Sequence, residues 1–216
     1  QALKRAKDGT IFRKYIDHAR HFCDAPWLIE ELNSIGIKAE LMHYKWLPQP
    51  TMDSQFNQLA VYSYLAKAKE DFYGWKMIKQ FACSHPEIPF YIVGSDGLKL
   101  LNVPPNVEFR GWVNPSEMQN LQRNTPIFIR LTEHDGFSLS VLEALSNGSE
   151  VIWNQPHQLV NFCDDESGAD VFDRICERLK KNELQRSEQN IAYIHNNFNR
   201  NIVMSRLISK MEEVFG

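Results

Sequence analysis

The sequence predicts an α/β fold, a doubly wound parallel sheet with helices on both faces. Three observations predict it. Short apolar runs alternate with amphipathic stretches between about residues 58 and 155, the order that parallel strands and crossover helices produce. An apolar run, Pro126-Ile-Phe-Ile, leads through an acidic glycine turn into a helical pattern and then at once into a second apolar run, Val151-Ile-Trp. The composition over 216 residues, 43% hydrophobic with 12% aromatic, is that of a chain with a substantial core.

The elements follow in order. Residues 1–10 are basic and polar and read as frayed or as part of a neighbouring segment; Gln1 in place of Met reads as a trimmed or excerpted chain. Residues 12–22 read as one helix. A second helix starts with Asp24 as its cap and Pro26 in its first turn, and stops at Gly36. Residues 37–44 read as a strand, and residues 48–53, Pro-Gln-Pro-Thr-Met-Asp, as a linker. Then come strand 59–64, helix 72–84, strand 90–93, strand 107–109, helix 115–123, strand 127–130, helix 138–146 and strand 151–153. Asn114, Pro115 and Glu117 supply a helix start. Residues 169–180 and 183–214 read as helices, the second broken near Asn196-Asn197.

The most informative segment is Glu133-His-Asp-Gly-Phe-Ser-Leu-Ser-Val-Leu-Glu143. Leu139, Val141, Leu142, Ala144 and Leu145 fit a helix with its apolar face inward, ended by Asn147-Gly148. A helix N-terminus at a strand's carboxyl end offers free N–H groups and a positive dipole end, which suits a diphosphate. Asp135 and Glu143 flank that position, with Glu143 about two turns into the helix and able to face the same crevice. Gly136, Phe137, Ser138 and Leu139 form the turn and the helix start. An anion grip beside two hydroxyl-binding carboxylates is what a nucleotide-sugar pocket requires.

This segment resembles the signature of the retaining GT-B glycosyltransferases of family 4. Gly136, Phe137, Leu139, Glu143, Ala144 and Gly148 match that signature; Asp135 stands for its first Glu, Ser138 for its second Gly, and Leu131-Thr132 for its Pro-Ser. Three further segments resemble the family in order: Gln58-Leu-Ala-Val-Tyr-Ser-Tyr-Leu, Phe90-Tyr-Ile-Val-Gly-Ser-Asp-Gly97 and Asn106-Val-Glu-Phe-Arg-Gly-Trp-Val113. The resemblance implies one half of a GT-B enzyme: residues 1–50 a remnant of the acceptor domain with its linker, and residues 51–216 a Rossmann-like donor-binding domain with C-terminal helices. It implies a retaining hexosyl transfer from a nucleotide-diphosphate sugar to a hydroxyl acceptor, in polysaccharide or glycoconjugate synthesis. By that reading this stretch alone is not a complete catalyst.

The resemblance also assigns roles. Glu143 binds the ribose hydroxyls, and Asp135 contacts the donor sugar near the reacting centre. Gly136, Phe137 and Ser138 present N–H groups to sugar and phosphates, and Gly111, Trp112 and Val113 line the base pocket. Tyr64 stands where the family has a phosphate-binding Arg, which leaves Lys69, Lys67 and Arg130 as candidate cations; Arg130 either compensates for Tyr64 or pairs with a carboxylate. Trp112 is equally well read as core, and Asp135 as a helix cap. His134 reads as a surface group, because the leaving phosphate takes the acceptor's proton in the mechanism commonly proposed for the family.

Charge and cysteines bound the rest. A net charge of −3 argues against a nucleic-acid footprint. No apolar run reaches membrane-spanning length and no signal peptide is visible at Gln1. Cys23, Cys83, Cys163 and Cys176 are scattered and read as core thiols in a reduced, cytoplasmic setting. No cofactor and no metal are expected, since the helix dipole and lysines can neutralise the phosphates. The expected partners are a nucleotide-sugar donor, a carbohydrate or glycoconjugate acceptor and the missing N-terminal domain, with peripheral membrane contact through that half. The alternatives are a non-catalytic nucleotide-sugar-binding or partner-stabilising subunit, and an unrelated flavodoxin-like domain.

Overall fold

The computed structural model describes residues 2–11, 13–48 and 55–215; Phe12 and most of the expected linker lie outside them. The chain divides into two compact units. One takes the chain up to Trp46, the segment Gly136–Ser138 and the chain from Asn197 onward; the other takes Leu47–Asp135 and Leu139–Asn196.

Among the described residues the larger unit holds six strands: β3 (Val61–Tyr64), β4 (Phe90–Val93), β5 (Val107–Gly111), β6 (Ile127–Arg130), β7 (Glu150–Trp153) and β8 (Asn161–Phe162). Every pairing is parallel, in the order β5-β4-β3-β6-β7-β8, with Val61 opposite both Phe90 and Ile127. The chain runs outward one way from β3 and the other way from β6. The order therefore reverses between β3 and β6, and open α/β sheets bind ligands outside the carboxyl ends of their strands at such a reversal.

Alternation along the strands sorts side chains to the two faces. Val61, Phe90, Ile92, Ile127, Ile129 and Ile152 pack with α4 (Trp75–Ser84) and α7 (Gly168–Lys181), through Trp75, Ile78, Phe81, Phe172 and Ile175. Tyr62 and Phe128 point to the other face and stack with centroids 4.6 Å apart. The helices of that half are α5 (Pro115–Asn124) and α6 (Leu139–Ser146), with α6 packed on β6 and β7. Asn114 caps α5 as a complete capping box with Glu117. Gly148, at φ +72°, closes α6, where a Cβ would lie 2.8 Å from Arg186 Cβ.

Several expectations are corrected in this unit. The helix 72–84 is a 3₁₀ turn, Asp71–Tyr73, followed by α4, divided by left-handed Gly74. β8 carries no periodic signal because it is two residues long. Leu139 is 44% exposed rather than inward, because it opens the helix ahead of the buried Val141 and Leu142. Cys83 is exposed, unlike Cys23, Cys163 and Cys176.

The smaller unit comprises α1 (Ala2–Lys7), α2 (Arg13–Ile16), β1 (His21–Cys23), α3 (Pro26–Ser34), β2 (Ala39–Leu41) and α9 (Arg200–Phe215); α8 (Glu188–Phe198) precedes α9. β1 and β2 form a two-stranded parallel sheet. The helix expected over residues 12–22 ends at Ile16, whose carbonyl accepts a hydrogen bond from the His21 ring at 2.8 Å, and His21–Cys23 is a strand. Asp24 is not a cap. Ala25 holds that position without a side-chain bond, and the Asp24 carboxylate pairs instead with Lys45 Nζ at 2.5 Å.

Candidate functional site

In the larger unit, the reversal brings the ends of β3 and β6 side by side. β3 ends in Tyr64 and β6 in Arg130. Tyr64 meets Tyr73 edge-on with centroids 5.5 Å apart, and the Arg130 guanidinium lies over the same Tyr73 ring at 5.3 Å. A Cβ at Gly94, φ +87°, would fall 2.5 Å from the Tyr64 ring, so only glycine lets the end of β4 lie this close to Tyr64.

Arg130 Nε donates to Asp135 Oδ2 at 2.8 Å, and Thr132 Oγ1 lies 3.4 Å from the same oxygen. The two charged side chains are only 14% and 18% exposed. Of the two readings open for Arg130, the pairing with a carboxylate is the one realised. Asp135 therefore carries a matched charge, held by charge-assisted bonding.

Glu143 is the fifth residue of α6, so it lies little more than one turn from the helix start. The expected two turns are therefore little more than one, since Glu143 stands only four residues past Leu139. Gln122 Nε2 on α5 donates to Glu143 Oε2 at 2.9 Å. Burial raises the Glu143 carboxyl pKa, opposed by the Gln122 hydrogen bond. Beneath it on β3, the Tyr62 hydroxyl is fully buried with no hydrogen-bond partner among the described residues; burial and then the Glu143 charge push its pKa well up. Sequence reasoning missed Gln122. The signal available was a polar residue beside Leu121 on the buried side of α5.

The candidate cations differ in their surroundings. Lys67 Nζ pairs with Asp96 Oδ2 at 2.6 Å on the surface, and Asp96 raises its pKa through that hydrogen bond. Lys69 is exposed on the same loop. Trp112 is 86% exposed, which removes the core reading. Gly111 ties the end of β5 to β4, accepting from Gly94 N–H at 2.6 Å and donating to the Ser95 carbonyl at 3.1 Å, while Val113 is half-buried. Gly111's own N–H and carbonyl are thus engaged within the sheet. A cavity of about 1140 Å³ beyond β6 to β8 is lined by Asp71, Glu133, Asp164, Asp165 and Glu166 with Lys76. Its acidic lining disfavours a diphosphate.

Gly136, Phe137 and Ser138 are described within the smaller unit. Phe137 is buried against Phe198, stacked at 5.8 Å, and against His43 at 5.3 Å. Its N–H faces Asp24 Oδ1 at 3.5 Å, and its carbonyl accepts from Lys45 Nζ. A Cβ on Gly136 would lie 3.3 Å from Asp24 Oδ1. The turn's expected role of presenting N–H groups is thus met at Phe137 by a carboxylate of the chain itself. Burial lowers the His43 pKa, with the Asp24 charge opposing. Among the described residues no three His, Cys, Asp or Glu side chains gather as a metal site, and no helix is long and apolar enough to cross a membrane.

No family model matches this chain, and no curated protein matches its sequence. Its fold does match solved glycosyltransferases. The pneumococcal O-GlcNAc transferase GtfA, in complex with UDP and GlcNAc, superposes with a TM-score of 0.64 at 15% identity, over 89% of this chain and 44% of its own. HepE of Anabaena, with UDP-glucose, gives 0.72 at 11% identity, over 99% of this chain and 68% of its own. The lipopolysaccharide outer core galactosyltransferase WaaB gives 0.68 at 17% identity, over 99% and 72%. The chain spans about half the length of GtfA, and 47% of the chain matched in the GtfA/B complex. These likenesses establish the fold: a Rossmann-like parallel sheet of the GT-B glycosyltransferase type.

Proposed function

We propose that this chain is the donor-binding half of a retaining glycosyltransferase of family 4, transferring a hexosyl group from a nucleotide-diphosphate sugar to a hydroxyl acceptor. The observation that carries the reading is the position of Asp135 and Glu143. One follows β6 at the reversal of strand order, and the other stands in the first turns of the helix that comes next. Glu143 accepts from the ribose diol. Asp135, held by Arg130, accepts from a sugar hydroxyl, and Lys69, exposed on the loop after β3, supplies positive charge to the diphosphate. Trp112, exposed after β5, is available to stack on the base. No metal is required in this scheme, and the setting is cytoplasmic. Acceptor binding and full catalysis belong to an N-terminal domain of which residues 1–50 are the remnant, with peripheral membrane contact made there and a polysaccharide or glycoconjugate as product. The test is calorimetric titration with UDP, GDP and ADP, with Glu143→Ala as the control.

A second reading, a non-catalytic nucleotide-sugar-binding or partner-stabilising subunit, draws support from the Arg130–Asp135 and Lys67–Asp96 pairs, which engage groups that catalysis needs. Turnover measured with an N-terminal acceptor domain restored separates the two: transfer supports the enzyme, and donor binding without transfer supports the subunit.

A further inference from the structure

α5 is a polar helix that buries two side chains, Leu121 and Gln122. Leu121 needs no explanation. Gln122 is 5% exposed, and a buried amide is unfavourable unless its hydrogen bonds are made. If packing alone mattered, Leu or Met would fill the position. Its amide instead reaches α6, where Nε2 meets Glu143 Oε2 at 2.9 Å. Among the described residues this is the one hydrogen bond that the Glu143 carboxylate accepts from the protein.

We infer that Gln122 is a positioning residue: it fixes one oxygen of Glu143 and thereby leaves the other to accept from a vicinal diol of the ligand. The inference rests on the reading of Glu143 as the ribose-binding carboxylate. A carboxylate on a free rotor loses side-chain entropy each time it meets a diol, and one already held does not. The hydrogen bond also favours the ionised form, in an environment that otherwise disfavours it. The titratable group on the strand below is Tyr62, whose buried hydroxyl stays protonated at working pH and contributes no charge.

The test compares wild type, Gln122→Met, Gln122→Glu and Glu143→Ala by titration with UDP, GDP and ADP, each beside its 2′,3′-dideoxy analogue. Wild type is expected to prefer the diol-bearing form, and Glu143→Ala to lose that preference. Gln122→Met is expected to lose roughly tenfold of the preference while its Kd for the dideoxy form stays unchanged. A role confined to packing would weaken both forms equally and keep their ratio, and that result overturns the inference. Gln122→Glu keeps the shape but removes the donor. It is expected to lose the preference at neutral pH and regain part of it as the pH falls and one proton comes to be shared between the two carboxyls. Should Gln122→Met fail to fold, Gln122→Glu carries the test alone, and an unchanged preference at neutral pH overturns the inference. Loss of preference in Glu143→Ala but not in the Gln122 variants removes the positioning role and keeps the Glu143 reading. Equal affinity of wild type for both forms, or no binding of either, removes the Glu143 reading itself.

Discussion

Arg130 Nε and Asp135 Oδ2 lie 2.8 Å apart at the end of β6, with both side chains largely withdrawn from water. The pair has two consequences. It holds Asp135 in place after the strand, and it engages the Arg130 charge within the chain, over the ring of Tyr73.

Removing one partner leaves the other charge buried and unmatched. Arg130→Met is expected to cost about 3 kcal/mol in urea denaturation, whereas the double variant Arg130→Met with Asp135→Asn recovers much of that loss. A single variant as stable as wild type would show that the pair is solvated and marginal.

Glu143→Ala is expected to weaken nucleotide binding by about 2–3 kcal/mol with circular dichroism unchanged. Unchanged affinity would return Glu143 to an ordinary helix glutamate.

Acidity acts on Glu143 in two opposed ways. Its folded-state pKa is raised by burial above the unfolded value, so ionisation costs stability above the folded pKa and that cost disappears as the pH falls toward the unfolded value. Glu143→Gln should therefore be more stable than wild type at pH 7, with the difference vanishing on acidification. Nucleotide affinity should move the other way in wild type, falling as the pH drops through that same raised pKa, while Glu143→Gln binds weakly throughout. Parallel thermal melts and titrations across this range check both signs.

Trp112→Ala is expected to leave stability within about 0.5 kcal/mol of wild type, because the ring is exposed. Nucleotide affinity should drop by about 1 kcal/mol through lost stacking. A marked loss of stability would contradict the exposed placement.

The larger unit was largely legible in the sequence. Its buried strands are runs such as Ile127-Phe-Ile, its α5 start is written in Asn114, Pro115 and Glu117, and Gly148 marks a helix end through its left-handed backbone. The smaller unit was less so. A three-residue strand such as His21–Cys23 is too short to display a period, and the role of Asp24 depends on Phe137, 113 residues away in the chain. A carboxylate partner for Arg130 was one of two options in the sequence, but nothing local singled out Asp135 as that partner. Gln122–Glu143 was not, because it joins two helices and no local pattern requires it.

The proposed division of labour makes the 216-residue chain a donor binder that does not turn over by itself. Incubated with UDP-, GDP- and ADP-sugars and a panel of hydroxyl acceptors, it is expected to release no nucleotide in an acceptor-dependent way. Release at about 1 per second or faster would mean that the active site is complete within it.

The most direct measurement for the central claim is calorimetric titration of the chain with UDP, GDP and ADP in EDTA. Weak binding of at least one nucleoside diphosphate without metal, lost in Glu143→Ala, is the predicted result. Absence of binding by all three, or binding that requires added magnesium or manganese, would contradict the account.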